Sequence, residues 1–172
     1  MCIFTMRQDC GNGRYIAMNE RNTPRKENVN IRIKLLRDVS IPQYATQGSA
    51  ALDLRAACDT VTIAPGERAV IPTGIAIAPK TDGVVAVVAA RSGLAIKHGI
   101  CLSNGIGVID SDYRGEICVG LYNSGSESFT INCGDRIAQL MFMPVFAANF
   151  ILSDTLDGTE RGTGGFGSTG IR

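Results

Sequence analysis

The chain has 172 residues, with 17 Lys and Arg against 16 Asp and Glu, one His, 45% hydrophobic and 19% charged residues, which suits one compact domain and leaves too little for two. A formal net charge of +1 lacks the basic footprint of a nucleic-acid or acidic-membrane binder. No apolar run approaches the roughly 20 residues of a bilayer span, so the expectation is a soluble protein with neither a nucleic-acid nor a membrane partner.

In the N-terminal stretch, Asp9 and Cys10 interrupt the apolar run where a signal-peptide core would continue, so the location expected is cytoplasmic. The six cysteines, Cys2, Cys10, Cys58, Cys101, Cys118 and Cys133, form no CxxC and pair with no histidine. They read as reduced, mostly buried thiols rather than a metal cage or redox dithiol. Glycine, at 20 residues, exceeds the roughly 7% of average usage, so many turns are expected.

Residues 1–29 are polar and aperiodic and read as a flexible N-terminal extension. From Ile31 the pattern changes, Ile31, Ile33 and Leu35 alternating with Arg32 and Lys34 as in a half-buried strand. Short β-rich runs then recur at 61–64, 69–71, 74–78, 84–89, 106–109, 117–122, 128–131, 136–142 and 145–152, separated by signals such as Pro65-Gly66 and Asp82-Gly83. So many short strands predict an all-β, jelly-roll-like sandwich or barrel over residues 30–153. One short helix is predicted over 92–98, with Ser92 capping it and Gly99 ending it. Beyond Ser153 the pattern dissolves, and residues 154–172 read as a mobile C-terminal arm.

No GxxxxGK[ST] occurs. The GxGxxG at Gly162, Gly164 and Gly167 has no strand before it and no room for a helix after it, so it is not a dinucleotide fingerprint. His98 stands alone, without a Ser/Asp constellation, and reads as structural. Three polar, glycine-marked segments exceed what turns require: 48–56, 90–95 and 104–115. In the second, Arg91 followed by Ser92-Gly93 at a helix start brings together a cation, a hydroxyl and free backbone N–H groups, which is anion-binding chemistry with phosphate the natural guest. An ordinary capped helix beside a surface arginine would give the same pattern. In the third, Asp110 ends an apolar run and is a candidate base in a partly desolvated site. Asp112, two residues on, also fits a plain hairpin turn with Tyr113.

Five segments, AALDLRA (50–56), RSGLA (91–95), NGIGVIDSDYRGE (104–116), GDRIAQL (134–140) and RGTGGFGSTG (161–170), resemble in order and spacing the five motifs of the trimeric dUTPases. The similarity runs from about residue 31 to 169. It implies a jelly-roll homotrimer that hydrolyses dUTP to dUMP and pyrophosphate with Mg²⁺, keeping uracil out of DNA and supplying dUMP for thymidylate synthesis. By the same resemblance, Asp110 orients and deprotonates the attacking water. Asn104 and the backbone through Gly107 read the uracil edge, and Tyr113 packs under the deoxyribose and excludes a 2′-hydroxyl. Arg91, Ser92, Gly93 and Gln139 hold the phosphates, with Mg²⁺ bound mainly by phosphate oxygens and waters. Asp53 either arranges those waters from the outer shell or braces Arg91. The arm closes the site: Phe166 stacks on uracil, Arg161 reaches the γ-phosphate, and Ser168 and Thr169 add hydroxyl donors. Each site is shared between subunits, with Asp110, the Arg91-Ser92 clamp and the Phe166 arm from three different chains.

Two positions depart from the family pattern: Ala51 where glycine is usual and Ala90 where proline commonly precedes Arg-Ser-Gly. The alternatives are a dCTP deaminase-like enzyme, which would use a glutamate near the base, and a non-catalytic nucleotide-binding regulatory trimer. Asp110 together with the Phe166 arm favours the dUTPase pattern.

Overall fold

The computed structural model describes residues 28–165 and, ahead of them, the backbone of two short strands. These two, β1 (Met6–Gln8) and β2 (Tyr15–Ala17), pair antiparallel within the stretch expected as a flexible extension. Then follow β3 (Ile31–Leu35), β4 (Leu52–Arg55), β5 (Val61–Ile63), β6 (Arg68–Pro72), β7 (Ile75–Pro79), β8 (Val84–Ala90), α1 (Ser92–His98), β9 (Ile100–Leu102), β10 (Gly107–Ile109), β11 (Cys118–Asn123), β12 (Phe129–Ile131) and β13 (Arg136–Pro144).

Every pairing is antiparallel. The widest sheet runs β10-β8-β13-β4; a second runs β6-β11-β9; β12-β5 and β3-β7 form two-stranded sheets. Side chains from all of these sheets meet in one cluster that includes Leu54, Ile63, Ile71, Ile75, Ile100, Leu121, Ile131 and Leu140, with Ile31, Ile33 and Ile109 packed against it. The mostly-β sandwich with a short helix is therefore the architecture present, as the repeated β-branched runs predict. Among the described residues, no helix is long and apolar enough to cross a membrane.

The helix occupies the predicted span, but Arg91 rather than Ser92 is its N-cap residue, in extended conformation and without a side-chain cap bond. The cause is upstream: β8 continues to Ala90, in register with Ala138, so Arg91 is the residue left between strand and helix. Gly99 ends the helix as expected, at φ +68°, and a Cβ there would lie 2.4 Å from Gly125 N, so neither the conformation nor the space admits a side chain.

Besides β1 and β2, strands β4 and β9 lie outside the predicted runs, and one predicted run is not a strand. Residues 145–152 leave the sheet after Val145 N donates to Gly83 O, and among the described residues no strand pairs with them. Phe146 and Leu152 are 97% and 98% exposed. A strand pattern needs a second strand to satisfy its backbone groups, and Pro144 closes β13 just before. The cysteine expectation also changes: Cys58 and Cys101 are half-buried, Cys118 and Cys133 are exposed, and all four are free thiols. Cys133 sits at the corner of the turn in which Asp135 N donates to Asn132 O, which faces solvent.

Candidate active site

Strand register assembles the first group of candidate residues. On the β4-β13-β8 ladder Asp53 stands opposite Gln139, and Gln139 opposite Ala89. Their neighbours Leu54 and Ala138 point into the core. By the alternation of a strand, Asp53 and Gln139 therefore share the opposite face. Arg91 follows at the end of β8. Its Nε lies 3.2 Å from Asp53 Oδ1, while Arg136 Nη1 donates to Asp53 Oδ2 at 3.1 Å. Arg91 Nη1 also donates to Arg136 O at 3.0 Å. The Arg91 pair is ionic without a directed hydrogen bond, so Oδ1 is a buried oxygen with an unused lone pair. Ser92 and Gly93 are exposed at the helix start, where first-turn N–H groups lack intrahelical partners.

The second group forms a cleft of ≈ 280 Å³ lined by Asn104, Gly107, Val108, Ile109, Tyr113 and Gly120, among others. A tight turn makes its rim, Ile106 N donating to Asn104 O at 2.8 Å, and β10 then fixes Gly107 opposite Val88. Tyr113 is held by its hydroxyl, which donates to Glu116 O at 3.1 Å, and by its N–H, which donates to Asp110 O at 3.2 Å. Asp110 is exposed, and its carboxylate makes no hydrogen bond or ion pair among the described residues, so the desolvated setting expected for it is not present in one chain. Glu116 Oε1 accepts from Gly74 N at 2.8 Å and Arg37 Nε at 3.1 Å. The Arg37 bond chiefly holds the Glu116 carboxyl below its usual range, with the Gly74 bond assisting against burial. The same arginine lifts its own pKa through Glu116.

One chain does not unite these groups. Ile109 stands opposite Ala86, so Asp110, the next residue of the antiparallel pair, lies level with Val85, six residues before Arg91, which at about 3.3 Å per residue sets it about 20 Å from the Arg91 end. Arg161 belongs to neither group: Nε donates to Gly164 O within its own turn at 3.0 Å. Phe166, Ser168 and Thr169 lie outside the described residues. A larger cavity of ≈ 610 Å³ opens between the 38–45 loop and the β4 and β13 strands, with Asp53 and Arg136 on its wall. Its remaining lining is not that of the two groups.

Sequence reasoning gave no role to Arg136 or Glu116, although both lie inside quoted segments. Arg136 is detectable only once β4 and β13 are paired, since a register shift between Arg136 and Ala138 turns it toward Asp53. Among the described residues, no group of three or more His, Cys, Asp or Glu could itself hold a metal.

A family model for dUTPase matches residues 37–170. The deoxyuridine 5'-triphosphate nucleotidohydrolase of Desulfitobacterium hafniense is 59% identical over 132 residues, covering 76% of this chain and 87% of that protein. That of Tolumonas auensis is 55% identical over 131 residues, with the same coverage. A point mutant of the Staphylococcus bacteriophage 80alpha dUTPase, solved with dUpNHpp, superposes with a TM-score of 0.76 at 26% identity, over 83% of this chain and 99% of that one. The dUTPase of phage phi11 of S. aureus, whose structure describes coordination of a structural Mg(II) ion, shares the fold with a TM-score of 0.68 at 22% identity, over 75% of this chain and 99% of that one.

Proposed function

The chain belongs to the dUTPase family and is a hydrolase acting on dUTP, and we propose that it works by water attack on the α-phosphorus at sites shared between the subunits of a homotrimer, releasing dUMP and pyrophosphate. Supporting the shared site is the separation of about 20 Å along β8 between Asp110 and Arg91 in one chain. A base and the phosphate clamp it must serve need to meet within hydrogen-bond reach of one water. A second copy brings them together. The exposed apolar side chains Phe146, Phe150, Ile151 and Leu152 favour the same assembly, since a run of this kind on a soluble chain marks a surface for another protein.

In this reading the uracil enters the ≈ 280 Å³ cleft, where Asn104 and the backbone through Gly107 bond its edge. Tyr113 lies under the deoxyribose and leaves no room for a 2′-hydroxyl. Arg91, Ser92, Gly93 and Gln139, from a neighbouring subunit, hold the triphosphate, with Asp53 keeping the Arg91 guanidinium in place. Asp110, unpaired in its own chain, orients the water and takes its proton. The arm of a third subunit closes the site, Phe166 on uracil, Arg161 on the γ-phosphate, and Ser168 and Thr169 adding donors, which excludes bulk water until product leaves. Hydrolysis removes dUTP from the pool available to DNA synthesis and yields dUMP for thymidylate formation.

Magnesium suits the residues present: Asp53 Oδ1 is a buried hard oxygen without a hydrogen bond, suited to accept from a metal-bound water, and phosphate oxygens would be the direct ligands. When bound, Mg²⁺ supplies neutralisation of phosphate charge. The clamp, the base and the arm do the rest by position.

The test is complementation. Asp110→Asn and a chain truncated after Glu160 should each be nearly inactive alone. Mixed in equal amounts and reassorted at random, they should regain roughly a quarter of wild-type pyrophosphate release, because a quarter of the sites in closed threefold rings combine an intact Asp110 with an intact arm. Mixed trimers that stay inactive would mean that base and arm come from one chain. Ammonia released from dCTP would instead mark a deaminase.

A further inference from the structure

Tyr113 sits on an exposed loop, yet its ring is tightly seated. A Cβ added at Gly115 would lie 2.3 Å from the Tyr113 hydroxyl and 2.6 Å from its Cζ, so the ring occupies the space a side chain at 115 would fill. Its hydroxyl donates to the main-chain oxygen of Glu116. The ring is therefore as well placed as the backbone at 115–116, and that backbone needs an anchor. Ile117, buried in the core, supplies one side of it: its O accepts from Thr73 Oγ1 at 2.6 Å and its N donates to Ile75 O at 2.8 Å. On the loop side the Glu116 carboxylate supplies the other, taking the Gly74 N–H at 2.8 Å and the Arg37 Nε–H at 3.1 Å on one oxygen. Arg37 lies 79 residues upstream, just beyond β3, whose partner β7 begins at Ile75. The β3-β7 edge is thus tied to the loop that carries Tyr113.

Resting on the assignment of Tyr113 as the residue that excludes ribose, we propose that Glu116 is a positioning residue for sugar discrimination, with Arg37 completing the brace. A pocket rejects a slightly larger substrate only as strictly as its wall holds still. Without the Glu116 bond to Gly74, the segment 113–116 keeps the Ile117 anchor and its bond within the loop, Tyr113 N to Asp110 O, but loses its tie to the β3-β7 edge, and the ring can yield to a 2′-hydroxyl. Neither residue touches the sugar. The effect passes through the Glu116 carbonyl to the Tyr113 hydroxyl.

The test compares kcat/KM for dUTP with that for UTP in wild type, Glu116→Ala, Glu116→Gln and Arg37→Ala, together with equilibrium binding of dUMP and UMP, which requires no turnover. Glu116→Ala should lower the dUTP:UTP preference about tenfold, a loss of the size that a slackened pocket wall produces. Glu116→Gln, which keeps an acceptor for the Gly74 N–H, should stay within about twofold, and Arg37→Ala should fall in between at about threefold, since the Gly74 bond remains. Should Glu116→Ala not fold, Glu116→Asp decides, because it retains the charge but withdraws the carboxylate by one methylene. An unchanged preference in whichever of these two variants folds overturns the proposal, as does an equal loss in Glu116→Gln. Failure of the underlying reading would look different: the wild type itself would bind UMP as well as dUMP.

Discussion

Around Asp53 the candidate site is made of charged side chains projecting from paired strands, whereas around Tyr113 it is made of backbone and one aromatic ring on a loop. The first group is fixed by the β4-β13-β8 register, which a one-residue slip would destroy entirely, because it would turn Leu54 outward and Asp53 inward. The second is fixed by single contacts: one hydroxyl to a carbonyl, one carboxylate to a backbone N–H. The difference suits the two recognition tasks proposed for them. Phosphate charge is met by guanidinium groups held by opposite charge. A base edge and a missing hydroxyl are read by shape and by backbone donors and acceptors, which need a stiff loop rather than a charged one.

That contrast is sharpest at the two carboxylates. Asp110 has no ion-pair or hydrogen-bond partner for its carboxylate among the described residues, while Asp53 is flanked by two arginines. Asp110→Asn should therefore lower kcat by about 10³-fold with dUpNHpp affinity kept within about tenfold, since the amide retains size but cannot take a proton. Steady-state kinetics and calorimetric titration check it. A variant retaining a tenth or more of wild-type kcat would remove Asp110 from the role of base. Asp53→Ala should act differently, lowering kcat/KM for dUTP by about 10²-fold through misplacement of Arg91, as displacements near 1 Å do. Binding of dUMP should move less than about threefold, because the base and sugar cleft does not include Asp53. If dUMP binding fell in step with kcat/KM, the two groups would not be independent and the comparison would break.

How far the sequence carries the reading depends on how local each cause is. Strand β8 is legible because its apolar, β-branched run follows Asp82-Gly83, β13 because its mostly apolar run follows Gly134, and the end of α1 because only glycine suits position 99. The 145–152 run misleads because an apolar run says nothing of whether a neighbouring strand is there to pair with it. Likewise Arg136 and Asp53, 83 residues apart, meet only after a bulge that no local pattern announces. The motif segments mark stretches of chain, yet which side chains face each other across them is a property of register. Asp110, legible as the end of an apolar run, proves exposed, because burial depends on long-range neighbours that no local pattern names.

The smallest expected effect concerns the brace under Tyr113. Glu116 is held below its ordinary value of 4.5, first by the Arg37 hydrogen bond and also by the Gly74 N–H, with burial opposing. A carboxyl whose folded pKa is depressed contributes stability that is present above the unfolded value and lost as pH falls through the folded one. Wild type should therefore melt slightly above Glu116→Gln at neutral pH, by a few degrees at most for a partly exposed pair. The gap should hold down to about pH 5 and close progressively below 4.5, as the wild-type carboxyl takes up the proton that makes it resemble the amide. Cys118, whose thiol pKa is raised by burial first and by the Glu116 charge second, stays protonated throughout this range and does not contribute. Taking the difference between the two proteins cancels the other carboxylates that titrate in the same window. A gap that stayed constant from pH 6 to pH 3 would mean that the Arg37 contact adds no charge-dependent hold on the loop, leaving the Gly74 bond as the whole of the brace.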